Sequence, residues 1–167
     1  MLMEENSGKG KAARALFEQG YTCAQAVLGA YAEELGLDWK TAMRLASPFG
    51  GGMGRMREVC GAVSGMLMAA GLKYGYADPK DREEKKRTYQ MTQELAGRFR
   101  EINGSIVCRE LLGLDGRDRS PEPSERTAEY YRKRPCACLA ECAADILDAY
   151  RLGEEGRGQC KRNEKDK

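Results

Sequence analysis

The chain of 167 residues carries 28 basic and 26 acidic side chains, for a formal net charge of +2. A balance so near neutral gives no electrostatic reason to expect nucleic acid or an anionic membrane as a partner. The length suits one domain with a real hydrophobic core, and no stretch approaches the roughly 20 apolar residues of a membrane span.

The opening MLMEENSGKGKAARALFEQG has no apolar run of signal-peptide length, so the protein reads as cytoplasmic. Valine and isoleucine are scarce, while Ala, Leu, Met, Glu, Lys and Arg are abundant. Strands would lack the β-branched material they favour, which predicts an all-α, single-domain bundle of about six to eight helices. YTCAQAVLGAYAEELG opens with Thr22 and Gln25 at capping-box spacing, carries Val27, Leu28, Tyr31 and Leu35 on one face, and stops at Gly36. DWKTAMRLASP is a short helix capped by Asp38 and ended before Pro48. After the glycine run Gly50 to Gly54, a further helix starts at or near Cys60. DPKDREEKKRTYQMTQELAGRFREING predicts a long helix with Pro79 in its first turn and Gly104 after its end. Its apolar stripe is Met91, Leu95, Phe99 and Ile102, and Asp81 with Lys85 and Glu83 with Arg87 are ion pairs on its wet face. SIVCRELLG is a short helix capped by Ser105, LDGRDRSPEPSE is a polar loop, and PCACLAECAADILDAYRLG is the last helix, with Pro135 at its first position. The helical domain spans residues 1–152, and residues 153–167 form a charged, disordered tail that leaves Cys160 out of any site.

Seven cysteines in a reducing compartment point to free, catalytic or metal-bound thiols before permanent disulfides. Histidine is absent, so no imidazole is available to ligate a metal or to activate a thiol. The helix boundaries supply another means of activation. Cys23, Cys60, Cys108 and Cys136 each fall at the opening of a helix, where unpaired N–H groups and the dipole favour thiolate over thiol. Arg55 and Arg57 precede Cys60 and would add to the effect if they point inward. On these grounds Cys60 is expected to titrate below the ~8.5 of a free cysteine.

Helical phase sharpens the selection. At about 100° per residue, Cys136 shares a face with Leu139, Ala143, Ile146, Leu147 and Tyr150, while Cys138 lies opposite, near Glu141 and Asp145. Cys23 aligns with Val27 and Tyr31, and Cys108 with Leu111 and Leu112. Cys23, Cys60, Cys108 and Cys136 are therefore expected to converge in one pocket, without Cys138 or Cys160. The competing reading is that buried cysteine merely fills core space. The glycines have an architectural reading: Gly61, Gly65 and Ala69 recur every four residues as a stripe that admits a neighbouring helix. The run Gly50 to Gly54 lacks the lysine and Ser/Thr of a phosphate-binding loop, and no strand precedes it.

GYTCAQAVLGAY, FGGGMGRMREVCGAVSGMLMAAGLKYG, GSIVCRELLG and CACLAECAADIL resemble the successive blocks of the C_GCAxxG_C_C family, small helical proteins described as redox-active. Cys60, Gly61, Ala62 and Gly65 form its motif, and the resemblance runs over about residues 8 to 150. It implies that Cys136, seven residues before Ala143, holds the fourth cysteine position, leaving Cys138, Cys142 and Cys160 as additions.

Two functions follow. In one, Cys60 exchanges disulfides with Cys23, Cys108 or Cys136 as in a thiol-disulfide oxidoreductase, passing electrons to a partner oxidoreductase or other redox protein. In the other, these four thiolates bind a metal or an iron–sulfur cluster in a carrier or structural module. The gaps of tens of residues favour the first, since common cysteine metal sites contain a short pair such as C-x-x-C. A scaffold with inert thiols is the bland alternative.

Overall fold

The computed structural model describes residues 8–115 and 119–153, and among these it forms eight helices and no strand. They are α1 (Lys9–Glu18), α2 (Cys23–Ala32), α3 (Trp39–Ala46), α4 (Gly61–Tyr74), α5 (Arg82–Asn103), α6 (Cys108–Leu111), α7 (Ala128–Lys133) and α8 (Cys136–Arg151). Residues Gly50–Met53 make one turn in which Gly51 and Gly52 take left-handed φ of 63° and 64°, so the run is a turn and not a helix.

Helix α2 begins as its sequence predicts. Thr22 Oγ1 accepts from Gln25 N at 3.3 Å, and Gln25 Oε1 accepts from Thr22 N at 3.0 Å, which closes the capping box. Seven of its ten residues are buried, so it forms the centre of the bundle, packed against α1, α4 and α8. Tyr31 secures α2 to α8 by donating its hydroxyl to Ala144 O at 2.7 Å in the core. At the far end Glu34 pairs with Lys9 of α1, Lys73 of α4 and Arg151 of α8. Burial opposes ionisation of Glu34, but hydrogen bonds from Lys73 and Arg151 prevail and hold its carboxyl at about 2.

The small-residue stripe on α4 meets α2 directly. A Cβ at Gly65 would lie 2.6 Å from Ala24 O and 3.0 Å from Val27 Cβ, so the backbones touch with no room for a side chain. Gly65→Ala is expected to destabilise the fold by about 1–3 kcal/mol. Thermal unfolding of this variant beside Gly71→Ala, a substitution into open space on the same helix, checks the value: equal melting temperatures would mean that α2 and α4 do not approach as described.

Several boundaries differ from the sequence reading. Helix α5 starts at Arg82 with Asp81 as its cap, accepting from Glu84 N at 2.9 Å, and Pro79 lies in the turn before it. The Asp81 carboxylate is thus spent on the cap, and Arg87 pairs with Glu84. Met91, Leu95 and Phe99 are buried as expected, but Ile102 is 38 % exposed, because α5 outruns the core near its last turn. Val107 occupies the cap of α6 while Ser105 Oγ accepts from Val107 N, two residues upstream of the expected role. Pro135 is the cap of α8, one position before its first helical residue. Two helices, α1 and α7, add to those traced from the sequence. Residues 154–167, with Cys160, lie outside the described residues.

Candidate functional site

Three of the four selected cysteines stand at the first position of a helix: Cys23 in α2, Cys108 in α6 and Cys136 in α8. Cys60 is the residue before α4, with extended ψ of 130°, so its side chain turns back over the helix start. The segments leading to Cys60 and Cys108 are joined by an antiparallel bridge between Val59 and Val107. Cys60 N donates to Ile106 O at 2.8 Å and Cys108 N to Glu58 O at 2.6 Å, which holds two cysteines from distant parts of the chain side by side. On the other flank, a Cβ on Gly61 would meet Cys23 Cβ at 3.2 Å, so the glycine after Cys60 lets α2 and its cysteine approach.

All four cysteines line one cavity of about 280 Å³. Each is buried, at most 9 % exposed. Cys138 does not line it and is half-buried on α8. Cys142 is buried elsewhere, with Asn103 Nδ2 donating to its sulfur at 3.3 Å. Among the described residues no group of three or more Cys, Asp or Glu side chains is close enough to hold a metal ion. The four cysteines share a wall without forming a coordination cluster.

The glycine turn shapes one side of this cavity. A Cβ at Gly52 would fall 2.6 Å from Cys108 Cβ, so the glycine is there to admit the cysteine. Beyond it Met53, Arg55 and Arg57 all take left-handed φ, between 63° and 70°, which is unfavourable for residues with a Cβ. Hydrogen bonds overdetermine the loop: Arg57 N donates to Gly51 O at 3.2 Å and Glu58 N to Gly52 O at 3.1 Å, while Arg57 O accepts from Arg109 N at 3.1 Å. The result buries Arg57 to 2 % exposure and brings its Nη1 within 3.9 Å of Cys108 Sγ.

The electrostatics overturn one expectation. Burial pushes the Cys60 thiol up to about 12, despite the amides of Ala62 and Val63 donating to its sulfur. The helix-terminal amides do point at Cys60, but the arginines before it go elsewhere. Arg57 reaches Cys108, and Arg55 donates to Ser120 O at 2.6 Å and Ser124 Oγ at 2.9 Å. Cys108 is also raised by burial, against the pull of Arg57.

Cys136 is the thiol whose anion the site favours. Its pairing with the Cys23 thiol is the largest cause and exceeds the burial penalty, and the charges of Arg134, Arg126 and Arg57 add to it. The same pairing, with burial, holds the proton on Cys23, whose affinity for it is raised.

Arg126, Arg134 and Tyr130, which line the same cavity, went unmarked in the sequence. The Arg126 guanidinium sits 4.5 Å from the Phe17 ring centre and 4.8 Å from that of Tyr130, and donates to the carbonyls of Phe17 and Tyr21. Arg134 lies 5.0 Å from the Tyr130 ring centre. A signal existed for Arg134: it stands two residues before a helix-opening cysteine, much as Arg57 stands three before Cys60.

Fold and site together define an all-α protein with four cysteines gathered from four helix starts around a cavity lined by arginine. The chain belongs to the family described as "Putative redox-active protein (C_GCAxxG_C_C)", whose family model matches residues 21–150. No curated protein and no solved structure matches it. Among the described residues no helix is long and apolar enough to cross a membrane.

Proposed function

We propose that the protein is a thiol–disulfide oxidoreductase in which Cys136 is the attacking thiolate and Cys23 the resolving thiol. The observation that carries this reading is that Cys23 and Cys136, each opening a helix, line one cavity with Arg134 and Arg126, where their pairing raises the proton affinity of Cys23 and lowers that of Cys136. Cys136 attacks one sulfur of a substrate disulfide, forming a mixed disulfide and releasing the other sulfur as a thiolate. That leaving thiolate takes the proton from Cys23. The Cys23 thiolate then attacks the Cys136 sulfur, forms the Cys23–Cys136 disulfide and expels the second substrate sulfur as a thiolate. Two protein thiols are oxidised, one substrate disulfide is reduced by two electrons, and one negative charge is present before and after. Both sulfurs face the one cavity, where the ~2.05 Å bond of a disulfide would join the first turns of α2 and α8. A partner redox protein would return the electrons.

Burial keeps Cys60 and Cys108 protonated at neutral pH, so neither is assigned the attack. The metal-carrier alternative has less support, because among the described residues the donors do not group at ligating distance. Oxidation of the fully reduced protein with one equivalent of diamide, followed by peptide mapping, is expected to yield a Cys23–Cys136 disulfide and a thiol count lower by two. Cys23→Ser is expected to trap a mixed disulfide on Cys136. A disulfide joining Cys23 or Cys136 to any other cysteine would refute the pairing, and a stoichiometric metal lost on replacing Cys23, Cys60, Cys108 or Cys136 would favour the carrier.

A further inference from the structure

Four guanidiniums, those of Arg55, Arg57, Arg126 and Arg134, line the cysteine cavity, and among the described residues no Asp or Glu does. The chain as a whole is nearly neutral, so this concentration of one sign is local. Arg126 is held by carbonyl oxygens and aromatic faces, and Arg134, half-buried, by the Tyr130 ring. Neither takes part in an ion pair among the described residues. Partly desolvated cations without carboxylate partners are costly to keep, and an anion entering the cavity would offset that cost.

Resting on the exchange reading above, we propose that the cavity selects small disulfides carrying carboxylate groups, with Arg134 and Arg126 binding the carboxylate while the disulfide meets Cys136. The size is consistent, since about 280 Å³ suits a small molecule and not a protein segment with its flanking residues. Planar guanidiniums hold carboxylates through paired, charge-assisted hydrogen bonds, which fix orientation as well as charge. Arg126, already anchored to two carbonyls and stacked on Phe17, is preorganised for this. Arg134 then serves both the thiolate and the substrate. The electron balance is that of the exchange above: the anionic disulfide is reduced to two thiols, one still ionised, and Cys23 and Cys136 are oxidised.

The test compares 3,3′-dithiodipropionate, bis(2-hydroxyethyl) disulfide and cystamine, which have similar length and carry two negative, no and two positive charges. Each rate of Cys136 oxidation is divided by the rate with free mercaptoethanol to remove intrinsic reactivity. The anionic disulfide is expected to react on the order of tenfold or more faster than the neutral one, with cystamine slowest and the preference shrinking as salt rises. Arg134→Gln slows all three through the thiolate, but it should also collapse the anionic-to-neutral ratio towards one, which a purely structural change would not do; Arg134→Lys should retain part of it. In parallel, adipate, an unreactive dicarboxylate, should slow iodoacetamide labelling of Cys136 in the unmodified protein, whereas hexane-1,6-diol should not. Equal normalised rates for the three disulfides would overturn the selectivity while leaving the exchange reading intact. Failure of every disulfide to oxidise Cys136 would refute the exchange reading, and the adipate arm would then decide the anion site alone: protection upholds it, and its absence rejects it.

Discussion

In the reduced protein at pH 7, iodoacetamide is expected to label Cys136 on the order of a hundredfold or more faster than Cys60. Alkylation runs through the thiolate, and a thiol at about 12 is ionised at pH 7 to only about one part in 10⁵. Cys136 is displaced the other way, below its ordinary value, by the hydrogen bond from Cys23 and the charges of Arg134, Arg126 and Arg57. Its labelling should rise to a plateau with a midpoint below 9, while Cys60 should climb slowly through pH 10. Because the Cys23 hydrogen bond is the largest cause, Cys23→Ala should move the Cys136 midpoint upward by more than Arg134→Gln does. The buried Cys142, with its proton also held by burial, is an internal control that should follow Cys60. Residue-by-residue mass spectrometry from pH 5 to pH 11 measures all three together. Coincident midpoints for Cys136 and Cys60 would remove the attacking thiolate from the mechanism.

Substituting Gly52 by alanine is expected to lower the melting temperature by roughly 5–15 °C. The residue has φ of 64°, which costs an L-residue about 1–2 kcal/mol. Its new Cβ would stand 2.6 Å from Cys108 Cβ and 2.9 Å from Glu58 N, an overpacking that adds about 1–3 kcal/mol against backbone that cannot swing away. For a domain of this size each kcal/mol is worth roughly 2–4 °C. Gly36→Ala separates the two contributions, since Gly36 has φ of 63° and open space around its Cβ position. It should show the conformational cost alone, a drop of roughly 2–8 °C. Equal drops for the two variants would mean that Cys108 is not seated against the glycine turn.

These expectations separate what local pattern carries from what it does not. The capping box at Thr22, the Asp38 cap, the long amphipathic α5 and the inward phase of Cys136 all depend on residues within a turn or two of each other, and each was legible in the chain. So was the grouping of Cys23, Cys60, Cys108 and Cys136, because residues on the apolar sides of short-linked helices have few places to point. The role of Cys60 was not legible. The sequence places it at a helix start after two arginines, but the strength of its burial depends on α2, α4 and the Val59–Val107 bridge closing over it.

By itself the sequence determined that the protein is helical, where most of the helices begin, and that Cys23, Cys108 and Cys136 face inward, since capping chemistry and 3.6-residue periodicity act over a few neighbouring residues. Only the tertiary structure decided in which direction each of those thiols is shifted. That outcome turns on Cys23, Arg57, Arg126 and Arg134 meeting Cys136 across separations of up to 113 residues (from Cys23 to Cys136), and on how much water each sulfur loses. Desolvation and Coulomb interaction depend on distance in space, which no local spacing encodes.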